Sequence, residues 1–145
     1  MHEAAKRFSE LPTTQRKAAC LRLCEHALHV WEKSFPEDRT VSYQETVAGS
    51  IQTLDLELPR DALAAANAGA DTASVASRYR EPLVALQDED VVLPKDAEFA
   101  YYAIHNAFER YALGRDIGEW IIVNQALSTA PDAIGLLTDV LREAG

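Results

Sequence analysis

The apolar residues of this chain recur at helical spacing over most of its length. In residues 13–35 they stand three and four positions apart, which is the spacing of one face of an α-helix. That face comprises Cys20, Leu23, Cys24, Ala27, Leu28, Trp31 and Phe35. Pro36 cannot continue a helix, and the charged residues 37–39 predict an exposed turn behind it.

Residues 42–56 show the same helical spacing. Val47, Ile51 and Leu54 fall on one face, and Pro59 follows shortly afterwards. Because proline breaks a helix from within, the pattern predicts a second helix over 42–56 that Pro59 brings to an end.

An alanine-rich stretch covers residues 60–76. Alanine favours helix, but Gly69 predicts a break that leaves a short helix and a longer one. Asp71 or Thr72 is suited to cap the second piece. Pro82 predicts either a kink in that piece or the start of a new helix that carries Leu83, Val84 and Leu86.

The helix predicted over residues 96–113 is apolar around much of its circumference. Asp96 follows Pro94 as an N-cap, and Gly114 closes the helix. Its apolar residues are Phe99, Ala100, Ala103, Ile104, Ala107, Phe108 and Tyr111. A helix with so wide an apolar arc belongs at the centre of a bundle.

Two more helices are predicted towards the C-terminus. One begins at Asp116 and places Ile117, Trp120, Ile121 and Leu127 on one side. Its run 120–123 is β-prone, so a strand remains an alternative there. The last covers 131–143 and turns Ile134, Leu137, Val140 and Leu141 inward.

The elements together predict an all-α fold. We expect an irregular bundle of about six or seven helices with short connections. The chain has 145 residues and 48% hydrophobic residues, enough for one domain over 1–145 with its own core. No stretch reaches the roughly 20 apolar residues that span a bilayer, and the first ten residues lack a hydrophobic signal core, so we expect a cytoplasmic protein.

The net charge of the chain limits the classes of partner that we expect it to bind. The formal net charge is −9 and the isoelectric point about 4.8. Nucleic acid and anionic membranes are bound through clustered Lys and Arg, so neither is expected as a direct partner. A basic protein partner fits this charge, although solubility alone is an equally good reason for an acidic chain.

The sequence contains no recognisable catalytic motif. It has no G-x-S-x-G, no Walker loop and no G-x-G-x-x-G. Cys20 and Cys24 lie four apart on the apolar face of the first helix, which predicts buried, reduced and unreactive thiols. We therefore expect a protein that is not an enzyme, with no catalytic residue, metal or cofactor.

The histidines leave one catalytic alternative open. Cys20, Cys24, His26 and His29 are ligand types that zinc prefers, but one continuous helix cannot turn all four towards one ion. The alternative is a small helical enzyme with a dispersed His/Glu site, with or without a bound metal. Its candidate residues are His105, Glu109, Glu25 and His26.

A cluster of acidic residues precedes the central helix. The partner-binding residues that we predict are Asp88, Glu89, Asp90, Asp96 and Glu98. The alternative is a solvated turn, followed by acids that favour a helix N-terminus. A second acidic group, Glu109, Asp116 and Glu119, lies near the other end of this helix. Tyr101 and Tyr102 could anchor an interface, but at least one should be core.

Two segments carry a family resemblance. They are Phe-Ala-Tyr-Tyr-Ala-Ile-His-Asn-Ala-Phe-Glu-Arg-Tyr at 99–111 and Ile-Gly-Glu-Trp-Ile-Ile-Val-Asn-Gln-Ala-Leu-Ser at 117–128. Together with Cys-Glu-His-Ala-Leu at 24–28 and Phe-Pro-Glu-Asp at 35–38, they resemble small all-helical bacterial immunity proteins of interbacterial toxin systems. The resemblance implies an inhibitor that binds a cognate toxin, here expected to be a basic domain, by stoichiometric occlusion. It assigns no role to a particular residue.

Overall fold

The computed structural model describes residues 2–36, 40–44 and 49–144. Within these ranges the chain is all-α apart from one short hairpin, as the apolar spacing predicts. Its elements are α1 (His2–Glu10), α2 (Thr13–Ser34), β1 (Ser42–Gln44), β2 (Ile51–Thr53), α3 (Leu58–Ala68), α4 (Val75–Gln87), α5 (Lys95–Tyr111), α6 (Glu119–Leu127) and α7 (Ala133–Ala144). A 3₁₀ turn, Thr72–Ser74, joins α3 to α4.

Helix α5 lies at the centre of the bundle, as its wide apolar arc predicts. It packs most extensively against α2 and also contacts α3 and α6. The alanines of its buried face allow this close approach, while Phe108 and Ile104 fill the space between the helices and are fully buried. Burying a side chain of that size stabilises the fold by about 2 kcal/mol.

Helix α2 supplies the opposite wall of the core. Its predicted apolar face is buried apart from Leu28, which is half-buried. Trp31 is completely enclosed, and its Nε1–H donates to the backbone oxygen of Leu56 at 2.9 Å. The helix ends at Ser34 immediately before Phe35 and Pro36, in agreement with the predicted stop. The predicted turn 37–39 lies outside the described residues.

The break at Gly69 is confirmed. Gly69 adopts a left-handed conformation, φ 74°, and its N–H donates to the oxygen of Ala65 to close α3. Asp71 stands before the 3₁₀ turn, and the N-cap position of α4 belongs to Ser74, so the predicted cap is displaced. The Oδ1 of Asp71 nevertheless accepts from the backbone N–H of Val75, the first residue of α4, at 2.7 Å. Helix α4 runs through Pro82 without interruption.

The predicted helix over 42–56 is wrong. Residues 42–44 and 51–53 form an antiparallel hairpin in which Tyr43 faces Gln52. Leu54 donates to the oxygen of Val41 at 2.7 Å and extends the pairing. Gly49 adopts a left-handed conformation, φ 71°, and breaks the helical pattern. The prediction from apolar spacing did not take this glycine into account. Val47 lies outside the described residues. Pro59 stands in the first turn of α3, where a missing N–H costs nothing, so it does not end a helix.

Two predicted apolar faces also need correction. Helix α6 begins at Glu119 and not at Asp116, and the alternative of a strand at 120–123 is wrong. Ile122 and Val123 are its buried residues, whereas Ile121 is 51% exposed. In α7, Leu137, Val140 and Leu141 are buried as predicted, but Ile134 is 54% exposed.

Helix α1 has no counterpart in the predicted elements. Phe8 buries its ring against the half-buried Trp120, with the ring centroids 5.8 Å apart. Helix α1 also packs on α7. Because this contact joins opposite ends of the chain, nothing in the local spacing of residues 2–10 indicates it.

Candidate functional site

The acidic turn between α4 and α5 is the first candidate site. Asp88, Glu89 and Asp90 are all exposed. The backbone N–H of Glu89 donates to the oxygen of Leu86 at 3.3 Å, and that of Asp90 donates to the oxygen of Ala85 at 2.8 Å. This pair of hydrogen bonds is a Schellman motif, so the helix end holds the three acidic residues in a fixed backbone conformation.

Glu89 occupies a position that glycine usually takes. It is the left-handed residue of the motif, with φ 61°. A side chain in this conformation costs on the order of 1 kcal/mol relative to glycine. Glu89 therefore stands in a backbone conformation that residues other than glycine disfavour.

The helix dipole also disfavours this charge. Asp88, Glu89 and Asp90 follow the C-terminus of α4, where the partial charge of the helix is already negative. All three residues are exposed, so a solvated turn remains an alternative to a binding surface, but the helix dipole does not stabilise their charge. Their placement opposes the dipole, by a few tenths of a kcal/mol each.

Asp96 and Glu98 differ from the other three predicted residues. Both lie in the first turn of α5, where negative charge is favourable. Oδ1 of Asp96 accepts from the N–H of Ala97 at 2.9 Å, although the N-cap position itself belongs to Pro94. Asp96 is exposed and Glu98 half-buried. These two residues have a stabilising role within the helix, so the exposed turn 88–90 is the stronger candidate.

Exposed apolar side chains flank the acidic turn along the chain. Val92 is 78% exposed, Val84 47% and Phe99 37%. Charged residues with apolar neighbours are typical of protein interfaces, where apolar contacts anchor and charges orient. The apolar spacing near Pro82 did not indicate which of these residues would be exposed. Tyr101 is completely buried and Tyr102 half-buried, so at least one of this pair is core, as expected.

The candidate residues of the catalytic alternative are only partly brought together. Nε2 of His105 lies 3.2 Å from Oε1 of Glu109, one turn along α5. Burial, and to a lesser extent the positive charge of Arg115, lowers the pKa of His105 to about 4. The ring is therefore neutral at pH 7, so its contact with the Glu109 carboxylate is not an ion pair. Glu25 pairs instead with Arg22 at 2.7 Å on the surface of α2, and His26 is half-buried.

No group of three or more His, Cys, Asp or Glu side chains within the described ranges is arranged to hold a metal ion. Cys20 and Cys24 are free and buried, as predicted. Burial raises the pKa of Cys20 to about 12 and also raises that of Cys24.

The acids at the other end of α5 are mostly neutralised by arginines. The Glu119 carboxylate is nearly buried, and its Oε1 lies 3.0 Å from Nε of Arg16. Its Oε2 accepts from the hydroxyl of Tyr111 at 2.7 Å. Glu109 pairs with Arg115 at 2.8 Å. This end is therefore a network of ion pairs and not a second acidic surface.

No protein-family profile matches the chain, and no curated protein or solved structure has significant similarity to it. Within the described residues, none of the helices has both the length and the apolar character needed to cross a membrane.

Proposed function

We propose that this protein is an immunity or inhibitor protein that neutralises a basic bacterial toxin domain by binding it stoichiometrically in the cytoplasm. The observation that carries the proposal is the exposed acidic turn Asp88–Asp90. Its charges oppose the α4 dipole and Glu89 occupies a left-handed position, so the turn forms at a cost to folding stability. Such a cost is typical of residues kept for binding.

Charge complementarity explains what the turn contributes. A toxin that acts on nucleic acid needs a cationic cleft, and a rigid acidic turn presents carboxylates to that cleft in place of phosphates. Val84 and Val92 are exposed close to the turn in sequence. They supply apolar contacts in addition to the charged ones. The net charge of −9 adds long-range attraction that speeds association.

The first experiment identifies the partner. The full chain is used as bait in a lysate of its source organism, at low and at high salt, and the bound proteins are identified by mass spectrometry. We expect one basic protein in near-equal amount, partly released by salt. Recovery of background proteins alone under conditions in which the toxin is expressed would contradict the proposal.

The second experiment tests the turn. The triple variant Asp88→Lys, Glu89→Lys and Asp90→Lys should slow association with that partner at least tenfold, on the order expected for loss of electrostatic steering, and should weaken its salt dependence. The matched control changes Glu3, Glu10 and Glu57 to Lys, which alters net charge equally on other exposed surfaces. Equal slowing in both triple variants would remove the turn from the interface.

A further inference from the structure

A cavity of about 450 Å³ opens at the end of α5 opposite the acidic turn. It lies between the first turn of α2, the end of α5 and the connection to α6. Its lining residues are Thr13, Thr14, Lys17, Arg110, Tyr111, Gly114, Arg115, Asp116 and Glu119. Since α5 has 17 residues, about 25 Å separate the cavity from the turn, and the two cannot form one small-molecule site.

Three cationic side chains from different elements meet in this cavity. Lys17 comes from α2, Arg110 from α5 and Arg115 from the connection to α6. An Nη atom of Arg110 donates to the backbone oxygen of Ile117, which fixes its guanidinium at the wall. This convergence stands out in a chain whose net charge is −9.

Lys17 has no carboxylate partner among the residues that the structure describes. Its side chain is half-buried, and its Nζ lies 5.5 Å from the centre of the Tyr111 ring. Across the described ranges no carboxylate oxygen lies within 4 Å of this ammonium. A cation–π contact is weak at a partly exposed position, so the ammonium keeps its capacity to bind an anion.

Neither carboxylate of the lining, Glu119 or Asp116, pairs with Lys17. Both oxygens of Glu119 are taken, by Arg16 and by the Tyr111 hydroxyl. Asp116 is exposed. Arg115 is shared with Glu109, and Arg110 lies 3.8 Å from Glu119, which leaves Lys17 as the cation of the lining that has no ion pair.

The geometry points to a site for a small molecule that is held through its carboxylate or phosphate group. We infer that Lys17 is its main ligand, that Arg110 and Arg115 add charge, and that the hydroxyls of Thr13 and Thr14 donate hydrogen bonds. The volume is that of an ordinary small-ligand pocket. This inference is independent of the proposed inhibitor function, because it concerns the opposite end of the molecule.

The test is an NMR titration of the full ¹⁵N-labelled chain with sodium phosphate and, separately, with sodium succinate, at constant ionic strength set by sodium chloride. We expect saturable shifts confined to the amides of Lys17, Gly114 and Arg115 with at least one of the two anions. Saturation by phosphate alone or by succinate alone identifies the group that is bound. Shifts that never saturate with either anion, or that scatter over the surface, overturn the inference.

Two lysine variants distinguish anion binding at a specific site from general electrostatic attraction of anions to the protein. Lys17→Gln should weaken binding about tenfold, as loss of one charge-assisted hydrogen bond does. Lys33→Gln removes the same charge from the exposed far end of α2 and should leave binding unchanged. Thermal unfolding verifies that both variants fold. Equal affinity of wild type and Lys17→Gln, or equal weakening in both variants, overturns the inference.

Discussion

The carboxylate of Glu119 accepts a hydrogen bond from Nε of Arg16 at 3.0 Å, although 103 positions separate the two residues. The Tyr111 hydroxyl donates to the other carboxylate oxygen at 2.7 Å. One side chain at the start of α6 thus joins α2 to the end of α5. This connection fixes one wall of the cationic cavity.

Replacing Glu119 with Gln should destabilise the fold by about 2 kcal/mol, because Arg16 and Arg110 lose a nearly buried counter-charge. Urea unfolding measures the change. The control is Asp139→Asn, which removes an exposed pair with Arg142 and should have little effect. Equal losses in both variants would show that burial does not strengthen the Glu119 pair.

Replacing Glu89 with Gly should stabilise the fold by about 1 kcal/mol, because glycine adopts the left-handed conformation without strain and removes a charge from the helix C-terminus. Thermal and urea unfolding show whether the free energy of unfolding rises or falls. The same exchange at Glu81, exposed within α4, should destabilise by about 1 kcal/mol. A loss of stability at position 89 would remove the argument that the acidic turn is costly.

The stability of the protein should fall between pH 6.5 and pH 4 partly through His105. Its folded pKa, about 4, lies below the ordinary value of 6.5, so the unfolded chain binds the proton more readily as pH falls. Wild type should therefore lose about 2 kcal/mol more than His105→Phe between pH 7 and pH 4.5. Urea unfolding at the two pH values measures this, and an equal loss in both proteins would contradict it.

The two thiols should not react in the folded protein. Burial raises the pKa of Cys20 to about 12 and encloses Cys24 completely, so neither forms the nucleophilic thiolate at pH 8. A chromogenic disulfide reagent should label both only in denaturant. Rapid labelling of one thiol under native conditions would reveal local opening of α2.

Local spacing was sufficient for the principal helices. In α2 and α5 the apolar residues repeat regularly over 22 and 17 residues, and breakers stand at or near their ends. Over segments of this length, no other periodicity fits the apolar positions equally well. The acidic turn was also predictable, because three consecutive acids between two helical segments favour an exposed turn.

Short segments were not predictable in this way. Residues 51 and 54 fit a helical face as well as a strand, and the outcome depended on a pairing with residues 41–44. Ile121 and Ile134 are exposed because their helices turn other residues to α2 and to the core. Sequence spacing defines an apolar arc, but the neighbouring elements decide which part of it is covered.

The sequence by itself determined the all-α class, the central place of α5, the acidity and the position of the acidic turn, since these depend on residue type and local periodicity. Only the tertiary structure decided that the turn opposes a helix dipole, that Glu119 meets Arg16, and that Lys17 shares a cavity with Arg110 and Arg115. The reason is that these relationships join residues distant in the chain. Their separation is set by the packing of whole helices and not by any local preference.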